Sequence, residues 1–316
     1  MSAAVQANGI SRRYGPITAV DDLSFTLQEG EVLGVLGPNG AGKTSAIRVL
    51  TTVLPASGGS FEVAGIPSTR PREIRRLIGV LPESAGYPEH QTGEEYLRYH
   101  GRLQGLGPGD ARDVASSLLG RVGLADRGHS LISGYSRGMR QRLGIARSLV
   151  NDPRVVFLDE PTLGLDPAGQ RQVLSLVRDL ARERGVTVLL STHLLAEVEE
   201  VCTRVMILNR GRVAAEGTVA EVVRHAAAPR SARVRVDAGF VDRARSVLAA
   251  APGVERVEAA DGLPGTFSAT LNGSATTEAM NGGLRALAEA GVPVLSFELE
   301  GARLSDAFLA MTGEGS

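Results

Sequence analysis

The stretch Gly37-Pro38-Asn39-Gly40-Ala41-Gly42-Lys43-Thr44 constrains the fold of this chain more than any other. Among 34 lysine and arginine residues, Lys43 is the only lysine, so a chain that otherwise uses arginine for positive charge makes one exception here. Arginine presents a wide planar fork. Lysine is a compact ammonium on a flexible stem, able to enter a tight backbone loop and sit between phosphate oxygens. The spacing G-x-x-x-x-G-K-[ST] matches that chemistry, because its glycines let backbone N–H groups turn inward on a phosphate and Thr44 offers a hydroxyl to Mg2+. Context separates this stretch from a chance glycine-rich turn. Glu31–Leu36 reads as a buried strand entering the loop and Ala46–Leu50 as a helix leaving it, which places the phosphate at a helix N-terminus.

A chain of 316 residues suggests one to three domains at about 100 to 200 residues each, enough for a full core. With 43% hydrophobic and 22% charged residues and a net charge of −1, the chain reads as globular, and the charge argues against an electrostatic nucleic-acid binder. No apolar run approaches the roughly 20 residues that cross a bilayer, and the N-terminus lacks the charged-then-apolar plan of a signal peptide. The expectation is a soluble, cytosolic protein. The one cysteine, Cys202, lies in an apolar-patterned segment, which excludes a disulfide framework and reads as a buried structural thiol. Abundant Gly, Ala and Arg with a single Lys suggest a GC-rich bacterial genome.

Ahead of the phosphate loop, Val5–Ile10 and Val20–Leu27 alternate as antiparallel strands do. Tyr14, beside the turn Gly15-Pro16, is either a half-buried packing residue or an aromatic platform for a base. Gly58–Gly65 reads as a further short strand, and Arg75–Leu81 as a buried strand ending at Pro82-Glu83. From Ser84 to about Val150 the periodicity is helical, broken near Gly105–Gly109, as in an inserted helical subdomain. Within it Ser136 stands at the cap of a helix over Met139–Leu149, either an ordinary N-cap or an anion site.

Val155–Leu158 is a strand ending in two carboxylates, Asp159 and Glu160. Adjacent acids repel and make sense beside a metal, with Asp159 holding Mg2+ and Glu160 taking a proton from an attacking water. A buried strand over Val186–Leu190 delivers Ser191-Thr192-His193. A lone histidine is commonly structural, but His193 falls at the C-terminal edge of a parallel-type strand, where ligands collect in open α/β sheets. His90, His100, His129 and His225 lack such a context and are expected at the surface. Beyond a linker at Ala226–Arg230 the chain restarts with strand and helix patterns in the order β-α-β-β-α-β, the ferredoxin-like plan. That segment shows no phosphate loop, metal cluster or nucleophile beside a base, which suggests a regulatory or dimerising role.

Together these segments resemble the ATP-binding subunit of an ABC transporter. Gly37–Thr44 matches the Walker A loop and Val155–Asp159 the Walker B strand. Tyr135-Ser-Arg-Gly-Met139 falls at the signature, Leu165-Asp166 at the D-loop, His193 at the switch histidine and Tyr14 at the adenine-stacking aromatic. Two departures stand out: Glu83 occupies the place of the family's Mg2+-bridging glutamine, and the signature carries Tyr135, Arg137 and Met139. These departures, with the ending Leu304–Gly313, resemble the drug-resistance and antibiotic-export branch.

The resemblance implies an α/β P-loop NTPase fold, with a RecA-like core, an antiparallel β subdomain and a helical subdomain at about 84–150. The cassette would span 1–225, a linker 226–231, and a small α+β ferredoxin-like regulatory or dimerisation domain 232–316. It implies ATP and Mg2+ as ligands. Tyr14, Gly37, Asn39, Gly40, Gly42, Lys43, Thr44, Ser45, Ser136, Gly138 and Asp166 would hold ATP. Thr44, Glu83 and Asp159 would hold the metal, and Glu160 and His193 would be catalytic. It further implies a head-to-tail homodimer around two ATP, a separate integral membrane permease, and residence at the cytoplasmic face of a bacterial membrane. The activity implied is ATP hydrolysis driving export of a hydrophobic small molecule. Two other readings stand beside it, an importer ATPase with a ligand-sensing tail and a non-transport ABC protein acting on ribosomes or DNA.

Overall fold

The computed structural model describes residues 3–226, 231–259, 265–271, 277–300 and 304–312. The first unit opens with two long antiparallel strands, β1 (Ala3–Tyr14) and β2 (Ile17–Gln28), closed by the turn at Gly15-Pro16. There follow β3 (Val32–Leu36), α1 (Lys43–Leu50), β4 (Gly58–Val63), β5 (Ile66–Pro67), α2 (Pro71–Leu77) and β6 (Ile78–Leu81). Three helices come next, α3 (Gly93–Leu103), α4 (Pro108–Arg121) and α5 (Arg137–Ser148). The unit then runs β7 (Val155–Asp159), α6 (Pro167–Arg184), β8 (Thr187–Thr192), α7 (Leu195–Val201), β9 (Arg204–Asn209) and β10 (Arg212–Gly217).

The central sheet has six strands in the order β10-β9-β3-β8-β7-β6, parallel except for β10. Every residue of β3, β7 and β8 is buried. Such continuous apolar runs are the mark of parallel strands covered on both faces. On one face Val49, Leu50, Phe157 and Met206 pack toward the four-stranded antiparallel sheet β2-β1-β4-β5; on the other Leu143, Leu158, Val173 and Leu190 join the helical layers. The expected α/β core, antiparallel β subdomain and helical subdomain are all present. The C-terminal ends of β3, β7 and β8 meet along one edge, where the phosphate loop, Asp159-Glu160 and His193 emerge.

Three readings of the sequence change. Arg75–Leu77 is the end of α2, and the strand begins at Ile78. Pro71 opens α2 at its first turn, where proline loses no hydrogen bond, and the helix buries Ile74 while Arg72, Arg75 and Arg76 turn outward. The first helix after Ser84 starts only at Gly93, where Thr92 and Glu95 form a reciprocal capping box. His100 is half-buried between the rings of Tyr96 and Tyr99, with centroids 4.6 and 5.5 Å away, whereas His90 and His129 are exposed. The side chain of His225 lies outside the described residues. Burial, with the nearby Arg147 charge, pulls the His100 imidazole down to about 4. Cys202 faces Gly34, and burial pushes its thiol well above the usual range, as a structural cysteine requires.

The chain divides into two compact units between Thr218 and Val219. The helix α8 (Val219–Ala226), expected to close the cassette, therefore groups with the second unit. That unit continues with β11 (Ser231–Val236), α9 (Val241–Ala249), β12 (Val254–Ala259), β13 (Thr266–Leu271), α10 (Thr277–Glu289), β14 (Val294–Glu300) and α11 (Leu304–Thr312). The helix α8 packs against α11, a partner distant in sequence, so linker composition gave no sign of it. The sheet order β12-β13-β11-β14, antiparallel throughout, is the ferredoxin-like arrangement expected from the β-α-β-β-α-β pattern. Residues 227–230 of the expected linker, and Gly313, lie outside the described residues.

Candidate active site

Lys43 begins α1, and the loop before it wraps the helix N-terminus. Gly42 there has φ +104°, and a Cβ on it would stand 2.2 Å from the Ala19 carbonyl oxygen, so only glycine fits. The Lys43 ammonium is 7% exposed. Its Nζ donates to the carbonyl oxygens of Gly37 at 2.6 Å and Pro38 at 3.3 Å, and stands 3.4 Å from Glu160 Oε1. The loop thus folds back on its own lysine and aims it at Glu160, the carboxylate just after β7.

The other Glu160 oxygen, Oε2, lies 2.8 Å from His193 Nδ1. A carboxylate only accepts, so Nδ1 carries the hydrogen in this contact. Glu160 also has φ +50°, a backbone conformation a glutamate rarely adopts, and its N–H donates to both the carbonyl and the hydroxyl oxygen of Ser191, each at 3.1 Å. Strain of this kind is held in place by its surroundings and concentrates at functional sites.

Asp159 is buried beneath Thr44. Its Oδ1 accepts from Ser191 Oγ at 2.6 Å and from Thr44 Oγ1 at 3.2 Å. Burial pushes the Asp159 carboxyl above its usual range; the Ser191 and Thr44 hydroxyls pull it back, and the charges of Glu83 and Glu160 push it up again. The described residues contain no group of three or more His, Cys, Asp or Glu side chains that would hold a metal unaided. A hydroxyl and carboxylates facing an open cleft instead suit an ion that keeps waters and takes phosphate oxygens, the usual habit of Mg2+. The donor set therefore fits it.

A cleft of about 550 Å3 joins these groups, lined by Asn39, Gly40, Gly42, Lys43, Thr44, Ser45, Glu83, Glu160 and His193, with Ala19, Pro38, Ala41 and Leu163. Gly37 lies at the root of the loop and Asp159 under its floor. Tyr14 ends β1, with its OH 3.4 Å from Ser45 Oγ, a contact that holds the phenol below its usual range. One face of its ring is covered by the Arg12 guanidinium, 4.7 Å from the centroid. Ser136, Gly138 and Asp166 do not line the cleft. Ser136 caps α5, accepting from Met139 N at 3.2 Å, and Asp166 caps α6, accepting from Gly169 N at 3.0 Å. Tyr135, in the signature's leucine place, is 5% exposed and donates its OH to the Arg127 carbonyl at 2.7 Å, so it serves as core.

The chain is 40% identical over 314 residues to the daunorubicin resistance ATP-binding protein DrrA3 of Streptomyces coeruleorubidus, covering 98% of this chain and 96% of that one. It belongs to the ABC transporter ATP-binding family. The ABC transporter family model matches residues 20–163, from the second strand to the loop after Glu160. The daunorubicin/doxorubicin resistance ATP-binding protein DrrA of Streptomyces peucetius is likewise 40% identical, over 98% of this chain and 92% of its own. Among solved structures, an ATP-binding subunit of an ABC transporter superposes with a TM-score of 0.63 at 30% identity, covering 70% of this chain and 92% of that one. The dimeric structure of MJ0796, a bacterial ABC transporter cassette, gives a TM-score of 0.63 at 23% identity over 68% of this chain and 98% of its own, and shares the fold. The chain is an ABC-type ATPase.

Sequence reasoning reached the charged and glycine positions of this ABC cassette but missed the groups that hold them. Ser191, Thr162, Glu197 and Arg12 carry no motif. Parallel pairing of β7 with β8 sets Ser191 opposite Asp159, a register visible only once the strands are paired.

Proposed function

We propose that this ATPase powers export of a hydrophobic small molecule, of the drug or antibiotic class, through a separate membrane permease. The observation that carries the hydrolytic part is the run of contacts from Lys43 to Glu160 to His193 across one cleft. The near full-length likeness to daunorubicin-resistance ATP-binding proteins supports the cargo class. Among the described residues no helix is long and apolar enough to cross a membrane, and in this reading a separate permease carries the cargo. The protein would then sit at the cytoplasmic face of the membrane, held by that permease.

In this reading Tyr14 stacks the adenine on the face that Arg12 leaves free, while the loop amides of Asn39–Ser45 and the Lys43 ammonium hold the phosphates. Thr44, Asp159 and Glu83 hold Mg2+, which supplies charge neutralisation at the phosphates when bound. Glu160 orients a water and takes its proton, and His193 steadies the γ-phosphate while fixing the Glu160 carboxylate. Ser136, Gly138 and Asp166, which stand apart from the cleft of their own chain, serve a second copy. The α5 N-terminus closes the partner's nucleotide in a head-to-tail dimer; the MJ0796 cassette, which shares the fold, is itself dimeric. The ferredoxin-like unit regulates or pairs the cassettes.

The test uses Glu160→Gln and Lys43→Ala. Glu160→Gln retains ATP and accumulates as a closed dimer on size-exclusion chromatography, with turnover lowered at least about 100-fold. Lys43→Ala loses nucleotide binding. Normal turnover by Glu160→Gln removes it as the base, and full activity of Lys43→Ala removes the phosphate-loop assignment. A membrane permease co-purifying with the chain supports transport; co-purifying ribosomes or DNA overturn it.

A further inference from the structure

Behind the cleft a carboxylate with no part in the mechanism above joins the two loops that carry Glu160 and His193. Glu197 lies in the first turn of α7 and is 3% exposed. Its Oε1 accepts from the Thr162 hydroxyl, two residues beyond Glu160, and its Oε2 accepts from Thr192 Oγ1 at 2.7 Å, immediately before His193. The Thr192 oxygen in turn accepts from Leu194 N at 3.0 Å, so His193 is bracketed on both sides by the same network. Among the described residues Glu197 makes no ion pair. A buried carboxylate without a cation is costly, and an apolar side chain of the same volume would serve packing at least as well. What an apolar side chain cannot do is fasten two loops from different strands at once.

We infer that Glu197 is a positioning residue for hydrolysis, holding the loop after β7 and the loop after β8 in the register that brings Glu160 and His193 into contact. The inference rests on the reading of that pair as the hydrolytic centre. Each loop leaves its own strand, and the 2.8 Å contact of Glu160 with His193 lies at the open end of the sheet, just beyond the backbone bond from the Glu160 N–H to the Ser191 carbonyl. One acceptor with two oxygens, each taking one hydroxyl, sets their separation from behind. Displacing reacting groups by about 1 Å costs roughly 100-fold in rate while leaving the phosphate-binding surface intact. The effect therefore falls on turnover and spares ATP affinity.

The experiment compares the wild-type full chain, Glu197→Gln, Thr192→Val, and the double variant. It measures kcat per titrated nucleotide site, ATP affinity by displacement of a fluorescent ATP analogue, and melting temperature. Glutamine keeps the shape of Glu197 but replaces one acceptor by a donor, and valine keeps the shape of Thr192 without the hydroxyl. Each single variant lowers kcat about 10- to 100-fold with ATP affinity within about twofold, and the double variant is no slower than the slower single one, because all three break the same link. Wild-type kcat in Glu197→Gln, multiplied losses in the double variant, or a parallel loss of ATP affinity overturns the inference. Should Glu197→Gln fail to fold, Thr192→Val and Thr162→Val carry the same comparison. Glu160→Gln and His193→Ala run beside them: turnover intact in both removes the reading of the site, whereas turnover lost in both but intact in Glu197→Gln removes this inference alone.

Discussion

Replacing Ser191 by alanine removes the shorter of the two hydroxyl bonds on the buried Asp159 carboxylate, and its cost can be worked from the contacts. The 2.6 Å bond from Ser191 Oγ to Asp159 Oδ1 is lost, while Thr44 remains at 3.2 Å. The Glu160 N–H still has the Ser191 carbonyl at 3.1 Å, so no new backbone orphan appears. A hydrogen bond to a charged group contributes about 1.5–3 kcal/mol, so the neutral-pH loss is about 2 kcal/mol. The sign follows from linkage. Asp159 already titrates above its unfolded value, so its contribution to stability is complete below the unfolded value and is lost as pH rises through the folded one. The variant raises the folded value further. Its deficit is therefore largest at neutral pH and shrinks as pH falls toward about 4, the ordinary carboxylate value. For a unit spanning Met1–Thr218, 2 kcal/mol corresponds to a melting shift of about 4–8 °C. Thermal melts of wild type and variant without Mg2+, at pH 7.5 and pH 4.5, give that difference at the higher pH and a smaller one at the lower. An equal shift at both pH values, or none at pH 7.5, refutes the assignment of Ser191 as support for an ionised Asp159.

Three further outcomes follow from particular contacts. Arg12→Ala uncovers one face of the Tyr14 ring; a cation over an exposed ring contributes about 0.5–1 kcal/mol, so ATP affinity falls about two- to fivefold with kcat unchanged, measured by nucleotide titration. Gly34→Ala places a Cβ 2.7 Å from Cys202 Sγ, costing about 1–3 kcal/mol in a melt, and Cys202→Ala in the same chain recovers part of that loss; an additive double variant refutes the contact. His100, depressed to about 4, contributes stability present above its unfolded value near 6.5 and lost as pH falls through about 4. His100→Phe therefore gains on wild type by roughly 2 kcal/mol over that window, after allowance for partial exposure, and parallel melting curves refute it.

Legibility followed the range of the interaction. The phosphate loop was readable because a strand, glycine spacing and a helix lie within a few residues of one another, and the structure places Lys43 where that local grammar requires. The strands β7 and β8 were readable as apolar runs, but the pairing that sets Ser191 against Asp159 was not. Arg75–Leu77 was misread because apolar Leu77 and Ile78 abut, and a short run suits either period. Residues 219–226 were assigned by the composition of the linker after them, whereas their helix is placed by α11.

By itself the sequence determined that this chain binds a nucleotide phosphate on a parallel α/β sheet, because a lone lysine in a glycine loop and two carboxylates after an apolar run have few other physical uses. It also ordered the second unit as β-α-β-β-α-β. Only the tertiary structure decided which side chains meet. It brings Glu160 between Lys43 and His193, leaves Ser136 and Asp166 outside their own cleft, and sets Glu197 behind both loops. Those contacts join residues tens of positions apart, and hydrogen bonds act over about 3 Å, a distance that chain order cannot encode without the sheet that brings the strands together.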